Sequence, residues 1–187
     1  MQLGLFPLPL FLLPGGITKL RIFEPRYVRL VKESMAEQKG FVLAMKEGDA
    51  ICTYGTHVQI IDFETLPDGL LGITIKGLSR VKLSHIDQED DGLWIGNTET
   101  LPDWSTNSAN PGLLSEALEA LFKAHPEHAS QYSDELHFND VNWVCQRWLE
   151  VLPLANNQRQ WFIAQEDAED AKQFITVLLT EEIQNEY

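Results

Sequence analysis

Cysteine is scarce: Cys52 and Cys145 are the two in 187 residues, far apart and each inside an apolar run. They support neither a disulfide framework nor a Cys-x-x-Cys metal or redox site, and a reducing compartment fits. Basic residues are half as numerous as acidic ones, 14 against 28, for a formal charge of −14. Binding along a phosphate backbone relies on Lys and Arg displacing counterions, so nucleic acid is disfavoured as a partner. Long hydrophobic runs are also missing, and nothing approaches the roughly 20 apolar residues that a membrane helix needs. Leu3 to Leu13 is nearly all apolar. It lacks a leading Lys or Arg and a small-x-small cleavage site, and Pro7, Pro9 and Pro14 break any helix there, so a secretory signal is not expected. These absences predict a cytoplasmic protein with no membrane partner.

What is present is ordinary globular composition, with 44% hydrophobic residues and enough apolar mass for one large domain or two small ones. Charge is unevenly placed. Residues 1–46 hold seven Lys or Arg against three Asp or Glu, a net of +4, while residues 47–187 hold seven against twenty-five, a net of −18. A local basic surface is therefore expected near the N-terminus.

Residues 1–104 read as short strands with one helix. Ile17–Ile22, Gly40–Lys46, His57–Phe63, Leu70–Ile75 and Arg80–Ile86 are rich in β-branched and aliphatic residues. Pro67-Asp68-Gly69 supplies a fixed φ, a side-chain acceptor and a positive-φ position, which is hairpin chemistry, and Asp90-Asp91-Gly92 repeats it. The helix starts at Pro25 and is expected to turn Val28, Val31 and Met35 inward and Arg26, Arg29 and Lys32 outward. Strands at short spacing around a single helix predict a small, twisted, barrel-like sheet. Residues 105–112 (STNSANPG) read as a linker, and residues 113–187 as a helical bundle. Its apolar residues recur at helical spacing from Leu114 to Phe122 and from Val141 to Leu152, where Pro153 ends the helix. Asn156 is expected to cap a short helix holding Trp161 and Phe162, and Asp167 a last one with Ala171, Phe174, Leu178 and Leu179 inward.

No catalytic set emerges. Gly72 and Gly77 have phosphate-loop spacing, but no Lys-Ser/Thr follows and the segment reads as strand. Gly77-Leu78-Ser79 opens like a nucleophile elbow, yet Val81 stands where the second glycine belongs. His125, His128 and His137 lie near one another, but Pro126 interrupts them and no carboxylate pattern completes a metal site, so a solvated connection is expected. Glu166, Asp167, Glu169 and Asp170 lack the glycine and alternation of a calcium loop and suit a helix N-terminus instead. Glu24 is expected to accept from helix N–H groups and Arg26 to form a structural ion pair. Trp143, Trp148, Trp161 and Phe174 fall on apolar helix faces and are assigned to the core. Phe11, Tyr27, Trp94 and Trp104 are less constrained, and they are the candidates for an exposed apolar patch.

Leu8–Tyr27, LPLFLLPGGITKLRIFEPRY, resembles the opening signature of Lon protease N-terminal domains: a Leu-Pro-Leu-Phe strand, a Pro-Gly turn, then Ile-Phe-Glu-Pro-Arg-Tyr leading into a helix. Asp62–Leu83 is similar to the family's Pro-Asp-Gly hairpin and the Gly-x-x-Arg strand after it, and Leu152–Leu179 to its closing helices. Arg159-Gln160 stands where the family has Lys-Gln, and His125–Phe138 matches no family pattern. The resemblance implies an α+β protein, a PUA-like β-barrel followed by a helical bundle. No ATPase motif and no Ser-Lys peptidase motif is read between Met1 and Tyr187, so neither activity is expected of these residues.

The function expected from this is a non-catalytic polypeptide-binding module with no cofactor and no metal, taking unfolded or flexible segments, alone or with a protease or other protein partner. Phe11, Arg26, Tyr27, Arg29, Lys32 and Trp94 are the candidate binding residues: aromatics for contact area, and a basic helix face to steer acidic segments. Two alternatives stay open, an RNA-binding PUA-like protein and a small-molecule-binding protein or enzyme using a barrel pocket.

Overall fold

The structure is a computed structural model and describes residues 1–105, 109–132 and 136–185. Residues 106–108 of the expected linker and 133–135 of the 125–138 connection lie outside the described residues. Six strands come first, interrupted by one helix: β1 (Gln2–Pro7), β2 (Ile17–Ile22), α1 (Pro25–Glu37), β3 (Phe41–Glu47), β4 (Ala50–Thr65), β5 (Leu71–Gln88) and β6 (Trp94–Thr100). Helices α2 (Leu113–Ala124), α3 (Pro126–Ala129), α4 (Val141–Val151), α5 (Asn156–Ala164) and α6 (Glu169–Asn185) follow. The chain divides into two compact units, Met1–Pro102 with Asn156–Ala164, and Asp103–Ala155 with Gln165–Tyr187.

In the first unit the strands lie in the order β2-β5-β4-β3-β1-β6, and β5 also pairs with β6. The pairings therefore return on themselves through β5, β4, β3, β1 and β6, as in the PUA-like barrel that the sequence implies. β2 stands outside the ring and pairs with β5. β1 runs parallel to β3, with Leu5 opposite Val42 and Phe6 opposite Leu43, and the other pairings are antiparallel.

Several elements differ from the sequence reading. The Leu-Pro-Leu-Phe segment is not a strand, and its Pro9 has no N–H to give to a ladder; the strand is the preceding Gln2–Pro7. Leu70–Ile75 and Arg80–Ile86 are one 18-residue strand, β5. It bends without breaking, through register shifts against β4 in which the extra residue is Leu78 of β5 at His57/Val58 and Ile61 of β4 at Ile60/Asp62. Gly77, mid-strand, is a close-approach position: a Cβ there would lie 2.3 Å from the Leu13 carbonyl oxygen. Its N–H donates to Gly16 O at 2.8 Å, and its carbonyl accepts from Gly15 at 2.9 Å. The hairpin turn at Pro67-Asp68-Gly69 forms as expected, with Gly69 at φ 81°.

Helix α1 begins at Pro25 as its sequence dictates, but it buries Tyr27, Leu30, Val31 and Ser34, whereas Met35 is 41% exposed. Two stripes at helical spacing compete here. The Tyr27 stripe wins because the ring stacks on Phe6 at 4.0 Å and the Ser34 hydroxyl is satisfied by donating to Gly40 O at 3.0 Å. The core beneath joins Ile22, Phe41, Val58, Ile73 and Ile75, all essentially buried. Burial of each such side chain is worth about 1.5–3 kcal/mol.

Helix α5 belongs to this unit. Phe162 and Ile163 are buried, and Arg80, itself buried, donates to Ile163 O at 2.7 Å. Trp161, assigned to the core from sequence, is 49% exposed. A nine-residue helix has one covered side, and its neighbours in the chain occupy it.

The second unit is helical. Asp140 caps α4 by accepting from the N–H groups of Asn142 at 2.9 Å and Trp143 at 3.3 Å. Trp143 and Trp148 are core residues, as read from periodicity, and the Trp148 indole donates to Leu114 O at 2.8 Å. Trp104, a surface candidate in the sequence, is buried and donates to Gln165 O at 3.1 Å. Arg147 is fully buried, forked onto Glu150 by two hydrogen bonds of 2.7 Å and flanked by the rings of Trp143 and Tyr132. Asp167 accepts from Glu169 N–H at 2.9 Å, and α6 turns Ala171 and Ile175 fully inward while Phe174, Leu178 and Leu179 are half-buried.

Candidate functional site

A groove of about 680 Å³ opens in the first unit. Its floor is aromatic. Phe6, at the end of β1, stacks under Tyr27 on the first turn of α1, and the Arg26 guanidinium lies 4.8 Å above the Tyr27 ring. Burial pushes the Tyr27 phenol upward, opposed by the Arg26 charge, so the ring stays neutral. One wall is β2 with its continuation, from Lys19 through Arg21 to Phe23. The lining also takes in Gln88 and Trp94, where β5 turns into β6, and Lys46 from β3.

Local chemistry explains why these side chains meet. Arg26 ion-pairs with Glu24 at 2.7 Å and donates to Gly92 O at 3.0 Å, which ties the start of α1 to the Asp90-Asp91-Gly92 turn and brings Trp94 to the rim. Glu24 makes no side-chain hydrogen bond to the helix N–H groups; its carboxylate is taken up by Arg26 instead. The ion-pair half of the sequence expectation holds, and the capping half is replaced. Phe23 is 65% exposed, held out between the last residue of β2 and Pro25.

Lys19, Arg21, Arg26 and Lys46 face Glu24 and Asp49 around the groove, a cationic excess in a strongly acidic chain. Lys19 reaches Glu64 at 3.4 Å and Arg21 pairs with Asp68, both partners belonging to the β4–β5 hairpin. Lys46 sits 6.0 Å over the Trp94 ring, and among the described residues no carboxylate lies within ion-pair distance of it.

Of the six candidates named from sequence, Arg26, Tyr27 and Trp94 line this groove, and Phe11, Arg29 and Lys32 do not. Phe11 is 4% exposed beneath the Arg159 guanidinium, 5.8 Å from its ring. Arg29 is tied to Glu33 and Asp91 at 2.7 and 2.8 Å and to Glu89, and these carboxylates push its guanidinium upward in pKa. Lys32 is exposed on α1. Phe6, Phe23, Lys19 and Lys46 were missed. The one sequence signal was Phe23 itself, an aromatic placed between a strand end and a helix-starting proline.

A shallower hollow of about 620 Å³ lies where α5 crosses the start of β4, beside Ile51, Cys52 and Trp161. Burial, then the nearby Glu47 charge, pushes the Cys52 thiol upward, which disfavours the thiolate. His125 lies 3.3 Å from Glu127, and among the described residues no group of three or more His, Cys, Asp or Glu is placed to hold a metal. Among the same residues no helix is long and apolar enough to cross a membrane.

Comparison with known proteins agrees with this architecture. No curated protein matches the sequence significantly. A Lon N-terminal domain protein from Xanthomonas campestris superposes with a TM-score of 0.77 at 28% identity, covering 95% of this chain and 98% of that one. The N-terminal domain of Mycobacterium avium complex Lon protease superposes at 0.70 with 13% identity over 93% and 95% of the two chains, a likeness of fold. Residues 2–181 match the family described as the ATP-dependent protease La (LON) substrate-binding domain, and the chain belongs to that family.

Proposed function

We propose that this chain is a non-catalytic, cytoplasmic recognition module that takes unfolded or flexible polypeptide segments into the groove between β2 and the Trp94 rim, alone or for a protease or other protein partner. The family's description as a substrate-binding domain supports the class of ligand. The groove supports the place: about 680 Å³, with stacked Phe6 and Tyr27 below and cations around. Concave sites of a few hundred Å³ with apolar walls and few polar groups are where flexible ligands lodge. Aromatic faces supply contact area at small entropic cost, and the cations favour segments with acidic residues. Binding of this kind requires no nucleophile and no metal. The observation that carries the reading is the convergence of Arg26 and Tyr27 with Trp94, distant in sequence, on one concavity.

The test is fluorescence anisotropy of the full chain with a labelled, permanently unfolded polypeptide, and a labelled single-stranded RNA in parallel at two salt concentrations. Saturable polypeptide binding that weakens about tenfold or more in Trp94→Ala, with a smaller loss in Arg26→Ala, is the expected result. Salt-sensitive RNA binding without polypeptide binding would overturn it.

A further inference from the structure

We propose that the bound segment adds to the sheet as a strand on the open edge of β2, and that the preferred segment alternates apolar with acidic residues. This rests on the recognition reading above and specifies its mode and ligand chemistry.

Among the described residues, β2 ends the strand order and pairs with β5 alone. Gly77 N–H donates to Gly16 O, which sets the phase of that ladder. In an antiparallel pair the main-chain groups of alternate residues point to the partner and away from it. Thr18, Leu20 and Ile22 therefore turn toward β5, and the N–H and C=O groups of Ile17, Lys19 and Arg21 turn outward. Lys19, Leu20 and Arg21 all line the groove, although successive side chains of a strand stand on opposite faces. A cavity bordered by consecutive residues of one strand abuts the edge of that strand, where the unpaired N–H and C=O groups lie.

Basic side chains on an edge strand commonly serve to block pairing. Here Lys19 and Arg21 are drawn back across β5 to Glu64 and Asp68 of the neighbouring hairpin, so they leave the edge accessible. In the same groove, Lys46 over Trp94 presents a cation beside an aromatic face. A strand laid in the groove would pair with the β2 main chain and set alternate side chains against the Phe6–Tyr27 floor. Its intervening carboxylates would come within reach of Lys46, for which no carboxylate among the described residues is an ion-pair partner. Main-chain pairing is indifferent to sequence, which suits a receptor for many clients, and the alternation supplies the preference.

The experiment uses the full chain and a short labelled peptide alternating Leu with Glu, prepared unmodified, with Lys in place of Glu, and N-methylated at every second residue in each of the two phases. Strand addition predicts that one phase of methylation weakens binding about tenfold or more and the other leaves it nearly unchanged, since several hydrogen bonds are lost in one phase only. Equal affinity of the two phases would overturn strand addition. The Lys peptide is expected to bind at least about tenfold more weakly, and equal binding would overturn the charge preference. On the protein, Lys19→Pro removes one outward N–H while sparing the β5 ladder, and it is expected to weaken binding beyond Lys19→Ala. The unfolded polypeptide run alongside separates the two readings: if it binds while the phases are alike, only the mode fails, and if nothing binds, the recognition reading fails with it.

Discussion

Gln160 of α5 and Tyr54 of β4 exchange two hydrogen bonds of 2.8 Å, the Tyr54 N–H donating to Gln160 Oε1 and Gln160 Nε2 donating to the Tyr54 carbonyl. The sheet leaves this position open. Pairing between β3 and β4 jumps from Ala44↔Gly55 to Lys46↔Ile51, so β3 offers Tyr54 no partner. A side-chain amide, with one donor and one acceptor side by side, takes the place of the missing strand residue. Asn156 repeats the device from the start of α5 by donating to Lys46 O at 2.9 Å.

Gln160→Ala is therefore expected to destabilise the fold by about 1–3 kcal/mol, because two partly buried main-chain groups lose their partner. Gln160→Glu keeps the acceptor and loses the donor, so its loss should be intermediate. Urea denaturation of the three proteins checks the order.

Arg147 is the most deeply buried charge described, and its fork onto Glu150 neutralises it. Glu150→Ala should cost about 3–5 kcal/mol by stranding the guanidinium, whereas replacing both residues with apolar ones of similar volume should recover most of that. Thermal melts of the single and double variants distinguish an ion pair that stabilises from one whose loss is merely costly.

The Asp91 carboxyl is held below its ordinary pKa, first by the Leu93 N–H that it accepts and then by Arg29 at 2.8 Å. A depressed carboxylate contributes stability above its unfolded pKa and loses it as pH falls through the folded value. Denaturation midpoints taken downward from about pH 5 should fall less steeply in Asp91→Asn than in the parent, in proportion to this one group. A parallel decline in both proteins would remove Asp91 from the acid response.

The two cysteines should differ in reactivity. Burial pushes the Cys145 thiol to about 12 and shields it, while Cys52, its thiol also pushed upward, is only half-buried. Alkylation near neutral pH followed by mass spectrometry should modify Cys52 slowly in the native protein, and Cys145 only after denaturant is added.

Part of the candidate site was legible in the sequence. Arg26 and Tyr27 stood out because they sit in a recognisable strand-to-helix signature, and Trp94 because no helical period claimed it. Lys19, Leu20 and Arg21 read only as strand residues. Nothing local distinguishes an edge strand from an interior one, and the openness of β2 follows from where β5, some fifty residues later, chooses to pair. Phe11 illustrates the opposite case: an aromatic without an evident period reads as a surface residue, and the fold buries it under Arg159 of α5.

Local chemistry settles whatever depends on neighbours in the chain. Ile17–Ile22 is a strand with the bounds its β-branched pattern predicts, α1 starts at Pro25 because its missing N–H is harmless there, and the Pro-Asp-Gly turn closes the β4–β5 hairpin. The family signature rests on the same local chemistry. Long-range packing settles which stripe of α1 faces inward, that β5 runs unbroken past Gly77, and that α5 joins the sheet and not the helices on either side of it in sequence. In each of these the local preference is nearly balanced, so the outcome is set by distant groups: the Phe6 ring under Tyr27, the Gly16 carbonyl waiting for Gly77, and the unpaired main chain of Tyr54 that Gln160 completes.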